Sequence, residues 1–251
     1  MRLALVGKGG SGKSVIAGTV ARILARENQR VLALDVDTLP GLAFSLGLGR
    51  ITDAGMPEEL GERQEGKGWV LREEMSAEAL VDRYAVDAPD GIRFLQLGKL
   101  PEQVRPGSVV AFRHVVDSFR RHEWSIVGDL AAGTRQGFAG WAGFAELIGI
   151  VVEPTSSALL SAQRLSALSH SMPGVRTGLI INKSREDDGI RGRLTNLGLP
   201  VWAEIPYDVE VAMAEREGAA PIDMAPVSAA VTAIGRLVTE IRRLVPEELP
   251  A

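Results

Sequence analysis

A three-layer α/β fold, with a doubly wound and mostly parallel sheet, is what this 251-residue sequence predicts. Three observations lead there. Short runs rich in Val, Ile and Leu alternate with stretches of helical periodicity along most of the chain, the pattern of successive βαβ units. Several of those runs are apolar throughout, as strands buried on both faces of a sheet must be. The first run passes directly into a glycine-rich turn and then a helical stretch, and parallel sheets bind ligands at such carboxyl-terminal edges.

In chain order, strands are expected at 2–6, 30–35, 92–97, 124–129, 147–153, 176–182 and 201–205, each apolar and closed by a polar or glycine-containing turn. Helices are expected between them at 13–27, 107–121, 157–170 and 187–197. A last helix at 226–245 places Val231, Ile234, Leu237, Val238, Ile241, Leu244 and Val245 on one face. Its polar face mixes Glu240 with Arg236, Arg242 and Arg243 and carries no inserted aromatics, so it is expected to pack on the sheet and not to enter a membrane interface. The segment 50–90 is polar and broken by Gly and Pro, and is expected to elaborate the fold outside the main sheet. No repeat, low-complexity tract or linker divides 1–251, so a single domain is expected.

Composition narrows the function. Apolar residues make up 45% of the chain, enough for one sizeable core. A net charge of −4 argues against a large nucleic-acid surface. The chain has no cysteine, which excludes disulfides, thiolate metal sites and iron–sulfur ligation by its own residues. No apolar run approaches the ~20 residues of a membrane span. Met1 leads straight into the first strand, and a cytoplasmic location is expected.

The most specific motif is Gly7-Lys8-Gly9-Gly10-Ser11-Gly12-Lys13-Ser14, after the apolar run Leu3-Ala4-Leu5-Val6. It satisfies the phosphate-loop pattern G-x-x-x-x-G-K-[ST] between a strand and a helix, which predicts a P-loop NTPase fold. Glycines let successive backbone N–H groups turn toward an anion, and the positive end of the following helix points at the same place. Gly9, Gly10, Ser11, Gly12, Lys13, Ser14 and Val15 are therefore the expected phosphate-binding stretch, with Lys13 on the β- and γ-phosphates of ATP and the Ser14 hydroxyl on Mg²⁺. Lys8 occupies a position the pattern leaves free. It is one of only five lysines against twenty-three arginines, and a compact ammonium suits a crowded phosphate site better than a guanidinium fork.

Further carboxylates stand where strands end. Asp35-Val36-Asp37 closes the second strand, and alternation turns both aspartates to the same side. Asp129 closes the strand 124–129 and is followed by Leu130-Ala131-Ala132-Gly133. An apolar strand ending in Asp is a usual way to hold an Mg²⁺-bound water, and Gly133 would let a backbone N–H approach the γ-phosphate. Thr134, Arg135 and Gln136 come next, and a response to the nucleotide or a plain surface loop are both open for Arg135 and Gln136. Near the carboxyl-terminal third, Asn182 and Lys183 tip an apolar strand and Pro206 follows Ile205, and all three are expected to bind the nucleotide. A carboxamide both donates and accepts, which suits pairing with a base edge.

These motifs resemble the deviant phosphate loop and switch segments of the MinD/ParA/ArsA/nitrogenase-iron-protein group of ATPases. The resemblance implies that Lys8 reaches across a nucleotide-dependent homodimer to the partner's phosphates, and that Asp37 in the first switch directs the attacking water with Asp35 supporting near Mg²⁺. It implies the second switch at Asp129-x-x-Ala132-Gly133, and adenine contacts from Asn182 and Pro206. Within the group, Val31 to Asp37, Val151-Val152-Glu153-Pro154 and Ser161-Ala162-Gln163-Arg164 most resemble the CooC-type ATPases that mature carbon monoxide dehydrogenase. Those proteins carry a Cys-x-Cys pair, and the comparable stretch 98–106 has none, so a thiolate nickel site is not expected here. The implied function is a dimeric ATP-hydrolysing switch that assists a client protein, a metalloenzyme by the CooC resemblance. A ParA- or MinD-like positioning ATPase and a small-molecule ATP-dependent ligase of the same fold are the alternatives.

Overall fold

The computed structural model describes residues 1–37, 41–49, 55–98, 105–133, 140–169, 174–185 and 191–245. The first half runs β1 (Arg2–Gly7), α1 (Lys13–Arg26), β2 (Arg30–Asp35) and α2 (Leu42–Leu46), then a hairpin of β3 (Gly61–Gln64) and β4 (Gly68–Leu71). It continues through α3 (Ala77–Tyr84), β5 (Val86–Ala88), β6 (Ile92–Gln96), α4 (Pro106–Ser118) and β7 (Trp124–Asp129). The second half runs β8 (Leu147–Val152), α5 (Ser156–Ser169), β9 (Arg176–Ser184), α6 (Arg191–Thr195), β10 (Val201–Pro206), α7 (Val209–Glu217), α8 (Pro221–Met224) and α9 (Ala229–Leu244).

Eight strands form one sheet in the order β10-β9-β8-β1-β7-β2-β6-β5, with β1 inside it and every pair parallel except β5 with β6. Alternation along β1 explains the three layers. Leu3 and Leu5 are buried against α1 and α9, whereas Ala4 and Val6 join the core beneath α4 and α5. Both faces of the strand are therefore apolar, as a covered parallel strand requires. All seven strands expected from the sequence are present, and the carboxyl ends of β1, β2 and β7 lie side by side.

Helix boundaries follow local capping. Ser228 Oγ accepts the Val231 amide at 3.3 Å, so α9 starts at Ala229, three residues after the expected Pro226. Of its face, Ile234, Leu237, Val238 and Ile241 are buried in the sheet-side core, as their spacing predicts, while Val231 is buried against Ala220 and Ile222. α4 begins on Pro106, the preferred first-turn place for proline. α6 is shorter than the expected helix at 187–197, and residues 186–190 lie outside the described ones.

One expectation needs correcting. Val86–Ala88 lies in the stretch expected outside the main sheet, yet it pairs antiparallel with β6 at the sheet edge. A three-residue strand is too short to show alternation. It is set by the following turn, where Asp90 (φ 61°) and Gly91 (φ 77°) adopt left-handed conformations. The hairpin β3–β4 does form its own two-stranded sheet, and α3 buries Ala77, Leu80 and Val81 in the core beside α4.

A buried arginine ties α1 to that turn and to α8. Arg22 is 3% exposed; its Nε donates to Asp90 Oδ2 at 2.5 Å, Nη1 to the Leu46 carbonyl at 2.8 Å, and Nη1 and Nη2 to Asp223 at 2.9 Å each. Arg22→Met is expected to destabilise the fold by about 2 kcal/mol, below the usual cost of breaking a buried pair, because partly exposed Asp90 and Asp223 can rehydrate. The urea unfolding midpoint measures it, and an unchanged midpoint would show the cluster to be ornamental. Among the described residues no helix is long and apolar enough to cross a membrane.

Candidate functional site

The glycine-rich loop leaves β1 at the centre of the sheet and enters α1 at Lys13. Gly10 (φ 80°) and Gly12 (φ 91°) sit in the left-handed region that favours glycine. At Gly12 a Cβ would also lie 2.2 Å from Asn182 Nδ2, so any side chain there would displace the Asn182 carboxamide from the loop. Lys13 is 6% exposed and curls back so that Nζ donates to the Lys8 carbonyl at 3.4 Å. A long bond of that kind is readily exchanged for an anion in the loop.

Beside the loop, the β2–β7 register sets Asp35 against Asp129. Ser14 Oγ donates to Asp129 Oδ2 at 2.5 Å, and Asp129 Oδ1 is buried with no partner among the described residues. Burial pushes the Asp129 carboxyl above the ordinary carboxylate range, against the Ser14 hydrogen bond and the Lys13 charge. An orphaned carboxylate oxygen beside a hydroxyl is a hard-oxygen donor set that fits Mg²⁺.

Asp35 stands beside Asp129 and also braces the neighbouring turn. It is fully buried, Oδ1 accepts the Asp37 amide at 3.0 Å, and Oδ2 accepts the Leu42 amide at 3.2 Å. Each oxygen thus accepts one amide and braces the turn that presents half-buried Asp37. Its carboxyl is raised by burial and by the neighbouring Asp129 charge, and the two amides oppose the shift. Residues 38–40 lie outside the described ones.

Gly133 (φ 126°) donates its amide to the Gly7 carbonyl at 3.4 Å, which brings the 129–133 segment against the phosphate loop. Gly7, Lys8, Gly9, Ala132 and Gly133 line an open cavity of about 270 Å³ that Ser161 and Leu165 of α5 close. Lys8 reaches sideways, its Nζ donating to Ser157 Oγ at 3.1 Å. Thr134, Arg135 and Gln136 lie outside the described residues.

A second cleft opens on the other side of the loop. Gly12, Val15, Asn182, Lys183, Pro206 and Tyr207 line it, so the expected base-side residues do come together. Asn182 Nδ2 donates to the Ser11 carbonyl at 2.7 Å, which commits one of its amide hydrogens to the loop. Arg185 stacks over the Tyr207 ring, 4.8 Å from its centroid, at the cleft's outer edge. Asp208 is occupied elsewhere, accepting the amides of Glu210 and Ala230 at 3.0 Å each.

Sequence reasoning passed over the roles of Glu153 and Ser157, which hold Lys183 and Lys8 respectively. The sole signal was polar residues directly after an apolar strand, and that names no partner. Together the site offers amides and ammonium groups for a polyphosphate, oxygen ligands for a divalent cation, a carboxylate at the mouth and an apolar slot for a planar base.

Known proteins are similar to this chain in sequence and in fold. The chain is 28% identical over 228 residues to an uncharacterized ATP-binding protein of Methanocaldococcus jannaschii, covering 86% of this chain and 88% of the relative. It is 28% identical over 246 residues to the carbon monoxide dehydrogenase accessory protein CooC of Rhodospirillum rubrum, covering 90% and 91%. Its fold matches that of the septum site-determining protein MinD of Pyrococcus horikoshii, solved with Mg-ADP, at a TM-score of 0.73 and 18% identity over 97% of this chain and 96% of that one. The family model described as the CobQ/CobB/MinD/ParA nucleotide-binding domain matches residues 3–222, and the chain belongs to that family.

Proposed function

We propose that this protein is a cytoplasmic, Mg²⁺-dependent ATPase whose ATP-bound form is a homodimer and whose turnover drives the maturation or remodelling of a client protein. Metallocentre assembly of the CooC kind is the favoured role. The observation that carries the ATPase reading is the Ser14–Asp129 pair, whose Oδ1 has no partner among the described residues, set beside the phosphate loop. Similarity to the CooC accessory protein along most of both chains supports the client-directed role. With no cysteine, the chain would act on its client without holding a soft metal through thiolates.

In this reading the amides from Gly9 to Val15 bind the phosphates and Lys13 compensates charge on the transferred group. Ser14 and Asp129 would hold Mg²⁺, which supplies charge neutralisation on the phosphate oxygens when bound. Asp35 holds the turn of Asp37, and Asp37 orients water. The Gly133 amide leaves the Gly7 carbonyl to meet the γ-phosphate. Val15, Asn182 and Pro206 border the base.

Lys8 carries the dimer. Its ammonium rests on Ser157, outside its own loop, on an exposed face where a partner's phosphates can reach it. Lys8→Ala is expected to keep ATP affinity within about threefold while losing the ATP-dependent dimer and at least tenfold of turnover, the scale of one charge-assisted contact. Sedimentation with and without ATP and a phosphate-release assay measure both. A variant that dimerises and hydrolyses like wild type would remove the switch.

A further inference from the structure

The back of the phosphate loop is as built as its front. Amides that turn toward an anion force the intervening carbonyls outward, and each outward carbonyl needs a donor. The Gly10 carbonyl receives Lys183 Nζ at 2.8 Å, and the Ser11 carbonyl receives Asn182 Nδ2 at 2.7 Å. The same Lys183 ammonium donates to Glu153 Oε1 at 2.6 Å, at the exit of β8.

Three features aim Lys183 at this place. The β9–β10 register shifts between the pairs Asn182–Ile205 and Ser184–Pro206, leaving Lys183 as the extra residue of a bulge. Bulges beside functional sites re-aim side chains. Lys183 also holds φ 57°, a left-handed conformation that a lysine keeps only where its surroundings impose it. Its ion pair with Glu153 then fixes the ammonium between β8, β9 and the loop. The first turn of α5 meets the loop as well, through Ser157 and Lys8, so the chain after β8 clasps both ends of the Lys8–Gly10 segment.

We infer that Lys183 and Glu153 are positioning residues, a strut that holds the Gly10 carbonyl outward and keeps the loop's amides turned toward the nucleotide. The inference rests on the ATP-binding reading of that loop. It assigns Lys183 to the loop's outer side, in place of direct contact with the nucleotide.

The test is titration of each protein with Mg²⁺ and a fluorescent N-methylanthraniloyl ATP, alongside KM, kcat and the melting temperature without nucleotide. Lys183→Gly relieves the left-handed strain and deletes the strut, so its melting temperature should not fall, while Kd and KM rise about tenfold with kcat within about threefold. Lys183→Met should lose affinity to the same degree, and Lys183→Arg should recover to within about threefold of wild type. Glu153→Leu separates the strut from a direct ligand. Removing a negative charge near the phosphates would tighten binding if Lys183 touched them, whereas loss of the strut weakens it about threefold. Affinity within twofold of wild type in Lys183→Gly and Lys183→Met, or tighter binding by Glu153→Leu, overturns the inference. Wild-type protein that binds no nucleotide would instead remove the ATP reading itself.

Discussion

Lys13→Ala is expected to lower ATP turnover by at least about a thousandfold, the scale lost when a principal charge-compensating group leaves a phosphoryl-transfer site. The geometry says why the loss falls on turnover and not on the fold. Among the described residues Lys13 Nζ makes a long contact of 3.4 Å to the Lys8 carbonyl, so little of that native structure depends on its head group. Its stem is buried at the first turn of α1, where alanine is the best helix former. Its charge acts on Asp129, whose carboxyl it helps to keep ionised. Removing it weakens the proposed Mg²⁺ ligand as well as the phosphate contact, and the two losses reinforce one another. Arginine should not rescue, because a planar guanidinium fork does not replace a compact ammonium among crowded phosphate oxygens. Phosphate release at saturating ATP measures the effect, with circular dichroism to show intact folding. Residual turnover within tenfold of wild type would sink the charge-compensating role.

What the sequence showed depended on whether a signal was local. The parallel strands were legible because strands buried on both faces read as continuous apolar runs, as Leu147–Val152 does. The phosphate loop was legible because glycine spacing encodes backbone conformation directly. β5 was not, since three residues held by a left-handed turn carry no period. α3, with its Ser76 cap, was hidden in a polar stretch that buries only three of its eight residues. At the site, residue types were readable and pairings were not. Asp35 and Asp37 look alike in sequence, and only the register of β2 with β6 and β7 shows one buried under two amides and the other at the mouth. Lys183 was seen as a strand-end lysine, while its bulge and its pairing with Glu153, thirty residues away, are tertiary facts.

The division between those two aspartates leads to the other large effect. Asp37→Ala is expected to reduce hydrolysis by about 10²–10³-fold, the range for a positioned proton-accepting or water-directing group, while ATP affinity stays within about threefold. Asp35, Asp37 and Asp129 crowd one sheet edge, and the Asp37 charge helps to push both other carboxyls upward. Deleting it relieves repulsion, so the nucleotide-free variant should melt no lower than wild type. A structural role would lower both stability and activity; a water-directing role lowers activity alone. Asp37→Asn sharpens the distinction, because its carboxamide oxygen still accepts from water but cannot take the proton. Since phosphoryl transfer depends mostly on positioning, the asparagine variant should hydrolyse faster than the alanine one. Blocked in hydrolysis yet able to bind ATP, the alanine protein should accumulate as dimer in ATP and hold a client long enough for co-purification. Hydrolysis at the wild-type rate, or a dimer that dissociates in ATP as fast as wild type, would place the water elsewhere and leave Asp37 as part of the turn that Asp35 braces.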